Sequence, residues 1–431
     1  MPTSADPPVL HTRMESVDTI ILILMPLFLY VFFFCIPIVK GVAGPVYVWY
    51  CLLYGVHLIL RKEKKYIQEP HLYYILLLPY FILAALSLTY TSDIEKGLKI
   101  LKTHVGLIMI PVLIETVSNS DRAKQYLYAY AGGGTVLAII AIYQGLIMHI
   151  NRPPTFLHPV HEGHLLMFPA VISFALLISE IRLSRRLLPL IFFILQGFAL
   201  YLNGTRGAWM GLGAVIIAAP FLIRGVTILK RLLYCAMLVL AVLVILFSPY
   251  GQRKLYQAID DVKLLQRSQY VSSEGALTSL GGRSEMWKAS MSMFLKHPVI
   301  GVGIGDWEKE LGILIDRKEA PVLLREFNQT HNIFLDALST RGIIGLSSFI
   351  VILVYPLVYA WKRRSKTKDL FCYTVIFAGI AFMVTGLSDT LVYIRWSFLS
   401  YIALTGVGLA LLVRNGTQGE GNCKPNAVLT R

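Results

Sequence analysis

Residues 187–224, LLPLIFFILQGFALYLNGTRGAWMGLGAVIIAAPFLIR, read as two apolar runs, 187–203 and 206–224, hinged on Asn203-Gly204-Thr205. Each approaches the ~20 residues that a helix needs to cross a hydrocarbon core about 30 Å thick. Runs of similar length lie near 18–39, 42–60, 71–90, 98–116, 125–149 and 164–181 before this stretch, and near 231–249, 332–361, 370–388 and 395–414 after it. The expected fold class is therefore all-α integral membrane, with about twelve transmembrane helices.

Composition agrees. The chain is 56% hydrophobic and 15% charged, with a mean hydropathy of +0.63, whereas soluble domains carry roughly a quarter charged residues. The net charge of +15 falls in short clusters between apolar runs, as topology signals do, so a nucleic-acid partner is not expected. Arg61, Lys62, Lys64 and Lys65, then Arg122 and Lys124, then Arg182, Arg185 and Arg186, then Arg224, Lys230 and Arg231, and finally Lys362 to Lys368 occupy every second connection. The intervening short ones hold little beyond Lys40, Lys96, Arg152, Arg206 and Arg395. The positive-inside rule then predicts that both termini are cytoplasmic. The polar start shows no short apolar run with a cleavage site, so no cleaved signal is expected. The five cysteines, Cys35, Cys51, Cys235, Cys372 and Cys423, suggest no disulfide framework.

The expected organisation is a cytoplasmic segment over 1–17, nine helices within 18–249, a large outer loop over 250–330, three helices within 331–414, and a disordered cytoplasmic tail over 415–431. Within the loop, Met286, Ala289, Met293 and Phe294 recur at helical spacing, predicting an amphipathic helix over 284–296 that lies on the bilayer surface. Gly301-Val302-Gly303-Ile304-Gly305 lacks a preceding strand and is a weak phosphate-loop pattern.

Three short segments carry chemistry, all on the outer face. In Thr205-Arg206-Gly207-Ala208-Trp209, Arg206 either snorkels to the interface or serves a site. In Gly281-Gly282-Arg283-Ser284-Glu285, Arg283 begins the amphipathic helix; it either joins unpaired helix N–H groups to hold an anion or pairs with Glu285. In Asn328-Gln329-Thr330-His331-Asn332, His331 sits at the water–membrane boundary, as a structural residue or as a proton acceptor poised near neutral pH.

Other polar residues have weaker claims. His158, His161 and His164 lie in the outer loop after the fifth helix, near Arg152 and Glu162. His161 and His164 share a helical face, for glycan or phosphate contact, packing or, least of all, metal. Asp389 and Arg395 bracket the last outer turn, as a structural pair or as contacts to substrate. Asp260-Asp261 and Asp306-x-Glu308 lack metal-site spacing and read as solvated carboxylates. Helix centres hold few charges, chiefly Lys99, Lys102, His104 and Glu115, which favours surface chemistry over a transporter or flippase.

These three segments in this order, with a long outer loop before the last, resemble the O-antigen ligase and polymerase family of bacterial envelope glycosyltransferases, ligases most of all. The resemblance implies an enzyme of the Gram-negative inner membrane with a periplasmic site and no cofactor or metal. It would transfer polysaccharide from undecaprenyl pyrophosphate to a sugar hydroxyl of lipid A–core, with inversion. Carried over by motif, Arg206 and Arg283 bind pyrophosphate and His331 activates the hydroxyl. Arg152, His161, His164, Asp389 and Arg395 are further expected substrate contacts. An O-antigen polymerase and a protein O-oligosaccharyltransferase are the alternatives within the family.

Overall fold

Backbone amides inside a bilayer must bond within their own segment, so each apolar run is expected to close into a helix. The computed structural model describes residues 8–38, 41–60, 70–117, 120–223, 225–247, 279–364 and 369–419, with isolated positions between 252 and 263. Each apolar run is helical: α1 (Pro8–Cys35), α2 (Ala43–Leu60), α3 (Pro70–Leu88), α4 (Ile94–His104) continuing into α5 (Met109–Thr116), α6 (Ser120–Leu146), α7 (Pro159–Ser179), α8 (Leu183–Asn203), α9 (Arg206–Leu222) and α10 (Ile228–Phe247). After the connection come α11 (Ser279–Lys296), α12 (Trp307–Asp316), α13 (Ile333–Lys362), α14 (Asp369–Gly386) and α15 (Arg395–Gly419). Among the described residues, nine helices are long and apolar enough to cross a membrane, and Tyr73–Leu88 and Arg206–Leu222 are shorter apolar helices. The protein is an all-α integral membrane protein.

Helix ends differ from the apolar runs where polar chemistry, not hydropathy, sets them. A 3-10 turn at Val105–Ile108 interrupts the fourth run; it lets Pro111 fall in the first turn of α5, where its missing N–H costs little. The sixth run starts earlier than read, because Pro159 takes the first helical position and His158 caps it, accepting from the Val160 N–H. His161, half-buried, and His164, fully buried, are thus in the first turns of α7, not in a loop as expected. The last helix extends to Gly419, beyond the expected start of the tail; residues 420–431 and Asp261 lie outside the described residues.

Helices α7, α14 and α15 are the most enclosed, while α1, α2 and α8 turn apolar side chains outward. Polar pins set the interior register. Gln196 on α8 donates to the Ala131 carbonyl on α6 at 2.8 Å and accepts from Ser173 on α7, also at 2.8 Å.

In the connection before α13, the helix expected to turn its apolar face to a bilayer turns it to protein. Met286 and Met293 of α11 pack against Trp307, Leu311 and Leu324 in a small separate core, so the apolar face is spent on protein. The glycine-rich turn fixes this unit to the bundle. The N–H of Val302 donates to Ser339 O at 2.9 Å, that of Gly303 to Thr340 O at 2.9 Å, and that of Ile304 to Ser87 Oγ at 2.8 Å. With those donors committed, the phosphate-loop reading fails. Asp306 is buried rather than solvated, accepting from the backbone N–H of Ser92 and Asp93 at 2.8 and 3.0 Å. Opposite the turn, α13 kinks at Gly342, where φ is +65° and a Cβ would lie 2.2 Å from the Val299 carbonyl oxygen. Only glycine satisfies both demands.

Candidate active site where five helix ends meet

The turn between α14 and α15 gathers the chemistry. Asp389 is 3% exposed. Its Oδ1 lies 3.1 Å from His331 Nδ1 and accepts the Thr390 N–H at 2.8 Å. Burial works against its charge, yet the bond to His331, the charges of His164 and His331 and the Thr390 N–H hold its carboxyl down at about 2. Asp389 is an ionised, fixed acceptor.

His331 precedes α13 in the left-handed region, with φ +49°. That conformation is unusual for a residue with a side chain, costs about 1–3 kcal/mol, and persists only where its surroundings impose it. They do. Asn332 caps α13, accepting from the N–H of Phe334 and Leu335 at 2.9 and 3.0 Å, and donates to Leu387 O at 3.1 Å. Thr330, fully buried, donates to Asn332 O at 2.8 Å. The imidazole side chain stays 23% exposed. With Nδ1 on a carboxylate, the proton sits on Nδ1 and Nε2 is the nitrogen presented as a base.

Arg283 donates from Nε to Ser388 O at 2.9 Å, one residue from Asp389. It is not at a helix N-terminus as expected: α11 begins at Ser279, and Gly281 and Gly282 are buried helical residues. Packing there outweighs glycine's poor helix propensity. Burial draws the Arg283 guanidinium down from its ordinary value, Asp389 pulls it back up, and Arg206 pushes it down again. The two arginines are therefore close enough to repel. Arg206 opens α9, and the next residue fits tightly: a Cβ on Gly207 would meet Ser388 Oγ at 2.6 Å, and Gly207 O accepts from Thr385 at 3.1 Å. All three segments singled out in the sequence thus meet at Ser388–Asp389.

His164 joins from α7, its Nε2 3.7 Å from Asp389 Oδ2, and neither ring nitrogen has a hydrogen-bond partner in the structure. His161 is near enough to Asp389 and His331 to interact electrostatically. Glu162 is buried beside Thr155, which donates to it at 2.6 Å. Among the described residues no three His, Cys, Asp or Glu side chains form a metal-binding group.

Of the two readings of Asp389 and Arg395, the structural pair does not form: the Arg395 guanidinium lies over Trp396 and against Gly44 of α2. Arg152 donates to the Asn203 carbonyl at the end of α8, at 3.2 Å. Sequence reading missed the buried Asp336 and Arg341 of α13. Tyr393 donates to Asp336 Oδ1 at 2.8 Å, Arg341 donates to Tyr80 at 2.7 Å, and the two charges are 3.7 Å apart. The signal was an acid and a base five residues apart at the start of an apolar helix.

An uncharacterized protein of Haemophilus influenzae is 24% identical over 335 residues, covering 76% of this chain and 81% of that one. The O-antigen ligase of Escherichia coli K12 is 25% identical over 179 residues, 41% of this chain and 39% of that one. Residues 191–350 match the model of the O-antigen ligase family, a span that contains Arg206, Arg283 and His331. Over residues 191–350 this chain thus matches the O-antigen ligase family, the one that its three motifs resemble.

Proposed function

We propose that the protein is an O-antigen ligase, moving a polysaccharide from undecaprenyl pyrophosphate to a sugar hydroxyl of lipid A–core. The observation that carries this reading is the meeting of a carboxylate-backed imidazole and two arginines at Ser388–Asp389. The acceptor O–H gives its proton to His331 Nε2 as its oxygen bonds to the anomeric carbon. The bond from that carbon to the pyrophosphate oxygen breaks, and the lipid pyrophosphate leaves with the bonding electrons. Attack from the face opposite the leaving group inverts the anomeric centre. Asp389 holds the imidazole and stabilises the imidazolium that forms, as a buried carboxylate does behind a catalytic histidine.

Arg206 and Arg283 neutralise charge on the departing pyrophosphate. Each charge-assisted hydrogen bond contributes about 1.5–3 kcal/mol. Each guanidinium raises the cost of the other's charge, and a polyanion held by both offsets that cost. With this charge compensation supplied by side chains, the reaction proceeds without a metal. The alternation of basic connections supports cytoplasmic termini and a periplasmic site in the inner membrane.

The test is transfer in vitro with purified protein, lipid-linked glycan, lipid A–core and chelator. Glycan on the core with wild type, and none with His331→Ala, supports a metal-independent ligase. Lengthening of the lipid-linked glycan without transfer to the core moves the assignment to a polymerase.

A further inference from the structure

A cavity of about 390 Å³ opens between the start of α4 and α12, lined by Lys96, Glu308, Lys309, Gly312, Arg325 and Phe327. Its size falls within the ~300–1,000 Å³ of small-molecule sites. Its position matters more. The Phe327 ring stands edge-on to the His331 imidazole, with centroids 6.3 Å apart, so one wall of the cavity touches the base.

The lining selects a chemistry. Glu308 pairs with Lys96, Arg325 pairs with Asp316, and Asp93 adds a further carboxylate to the wall. Two carboxylates, Asp93 and Glu308, and three cations, Lys96, Lys309 and Arg325, face the same space, so the wall is neither apolar nor of one sign. A ring of hydroxyls suits them: each carboxylate accepts from sugar hydroxyls, each cation donates to their oxygens, and Phe327 covers the C–H face.

Gly312 gives direct access to this space by substitution. It lies inside α12, where glycine lowers helix stability, and a Cβ there would meet no atom within 4 Å. Neither backbone angle nor packing requires a glycine. What a side chain would do is project into the cavity.

We propose that this cavity is the subsite for a sugar of the acceptor glycan, seated beside His331 so that the neighbouring hydroxyl reaches the base. The proposal rests on the transfer reading given above. It is tested first by binding, in the absence of donor, of lipid A–core to the full-length protein in nanodiscs, comparing wild type with Gly312→Phe and Gly312→Ala. Filling the cavity is expected to weaken binding at least tenfold, while Gly312→Ala binds as wild type does; unchanged binding by Gly312→Phe, or no binding by wild type, overturns the subsite.

Transfer kinetics then separate this subsite from the reaction itself. Gly312→Phe is expected to raise the acceptor KM at least tenfold with the donor KM unmoved. Equal changes in both overturn the subsite and leave the ligase reading intact. Core binding that Gly312→Phe abolishes, with no transfer by wild type, supports the sugar site and removes the ligase reading.

Discussion

His331 Nδ1 and Asp389 Oδ1 are 3.1 Å apart, brought together from loops 58 residues apart in the chain. The carboxylate selects the tautomer and fixes the ring plane, so the two side chains act as one catalytic unit. His331→Ala is expected to lower kcat by about 10²–10⁴-fold and Asp389→Asn by less. Residues that work as a unit are not additive, so the double variant should be no slower than His331→Ala. Single-turnover rates at saturating donor decide this; multiplying losses would separate the two residues.

Asp389 also makes stability depend on pH in a defined direction. Its folded-state value, about 2, lies below the ordinary 3.8, so its contribution is complete above about pH 4 and disappears as pH falls through 2. The shift corresponds to about 2 kcal/mol at neutral pH. In detergent, wild type should unfold at a higher temperature than Asp389→Asn at pH 5, and the gap should narrow steadily toward pH 3. A gap that does not change with pH would mean that Asp389 acts through shape alone.

Fold class was legible because hydropathy alone sets it: twelve apolar runs became helices, and even the tight turn at Asn203-Gly204-Thr205 stands between α8 and α9. Arg206 and His331 stood out as polar breaks beside apolar runs, and Arg283 as the charged start of an amphipathic stretch. Their orientation did not. Arg283 looked like a helix start because Gly281 and Gly282 look like a stop, and only burial shows otherwise. In the sequence Asp389 has Arg395 as its nearest cation, as a pair or as a second contact to substrate, whereas its partners in the fold come from α7 and the loop before α13. The amphipathic face of α11 could not declare whether lipid or protein covers it, since both bury the same side chains. Asp336 and Arg341 escaped notice because burial of a charge is a tertiary fact.

The arginines should separate charge from shape. Removing either as Arg206→Ala or Arg283→Ala is expected to cost about 10- to 150-fold in kcat/KM for the donor, the equivalent of one charge-assisted hydrogen bond. Lysine restores charge but not the planar fork, so Arg283→Lys should recover only part of the loss. Its Nε bond to Ser388 O would be lost as well. Titrating donor at fixed acceptor reads this directly. Full recovery with lysine would reduce the role of Arg283 to a diffuse positive field.

The charge pair inside α13 governs whether the site is held at all. Asp336 and Arg341 follow His331 closely in the chain, are almost completely buried, and tie Tyr80 of α3 to Tyr393 of the Asp389 loop. Arg341→Met strips the cation from a carboxylate that cannot reach water, a loss of about 3–5 kcal/mol. Asp336→Asn with Arg341→Met removes both charges, and a pair deleted together costs far less than one partner deleted alone. The melting temperature of the double variant in detergent should therefore lie above that of Arg341→Met. A double variant as unstable as the single one would show that Arg341 stabilises the fold through its stacking on Tyr80 and Phe349, and not through Asp336.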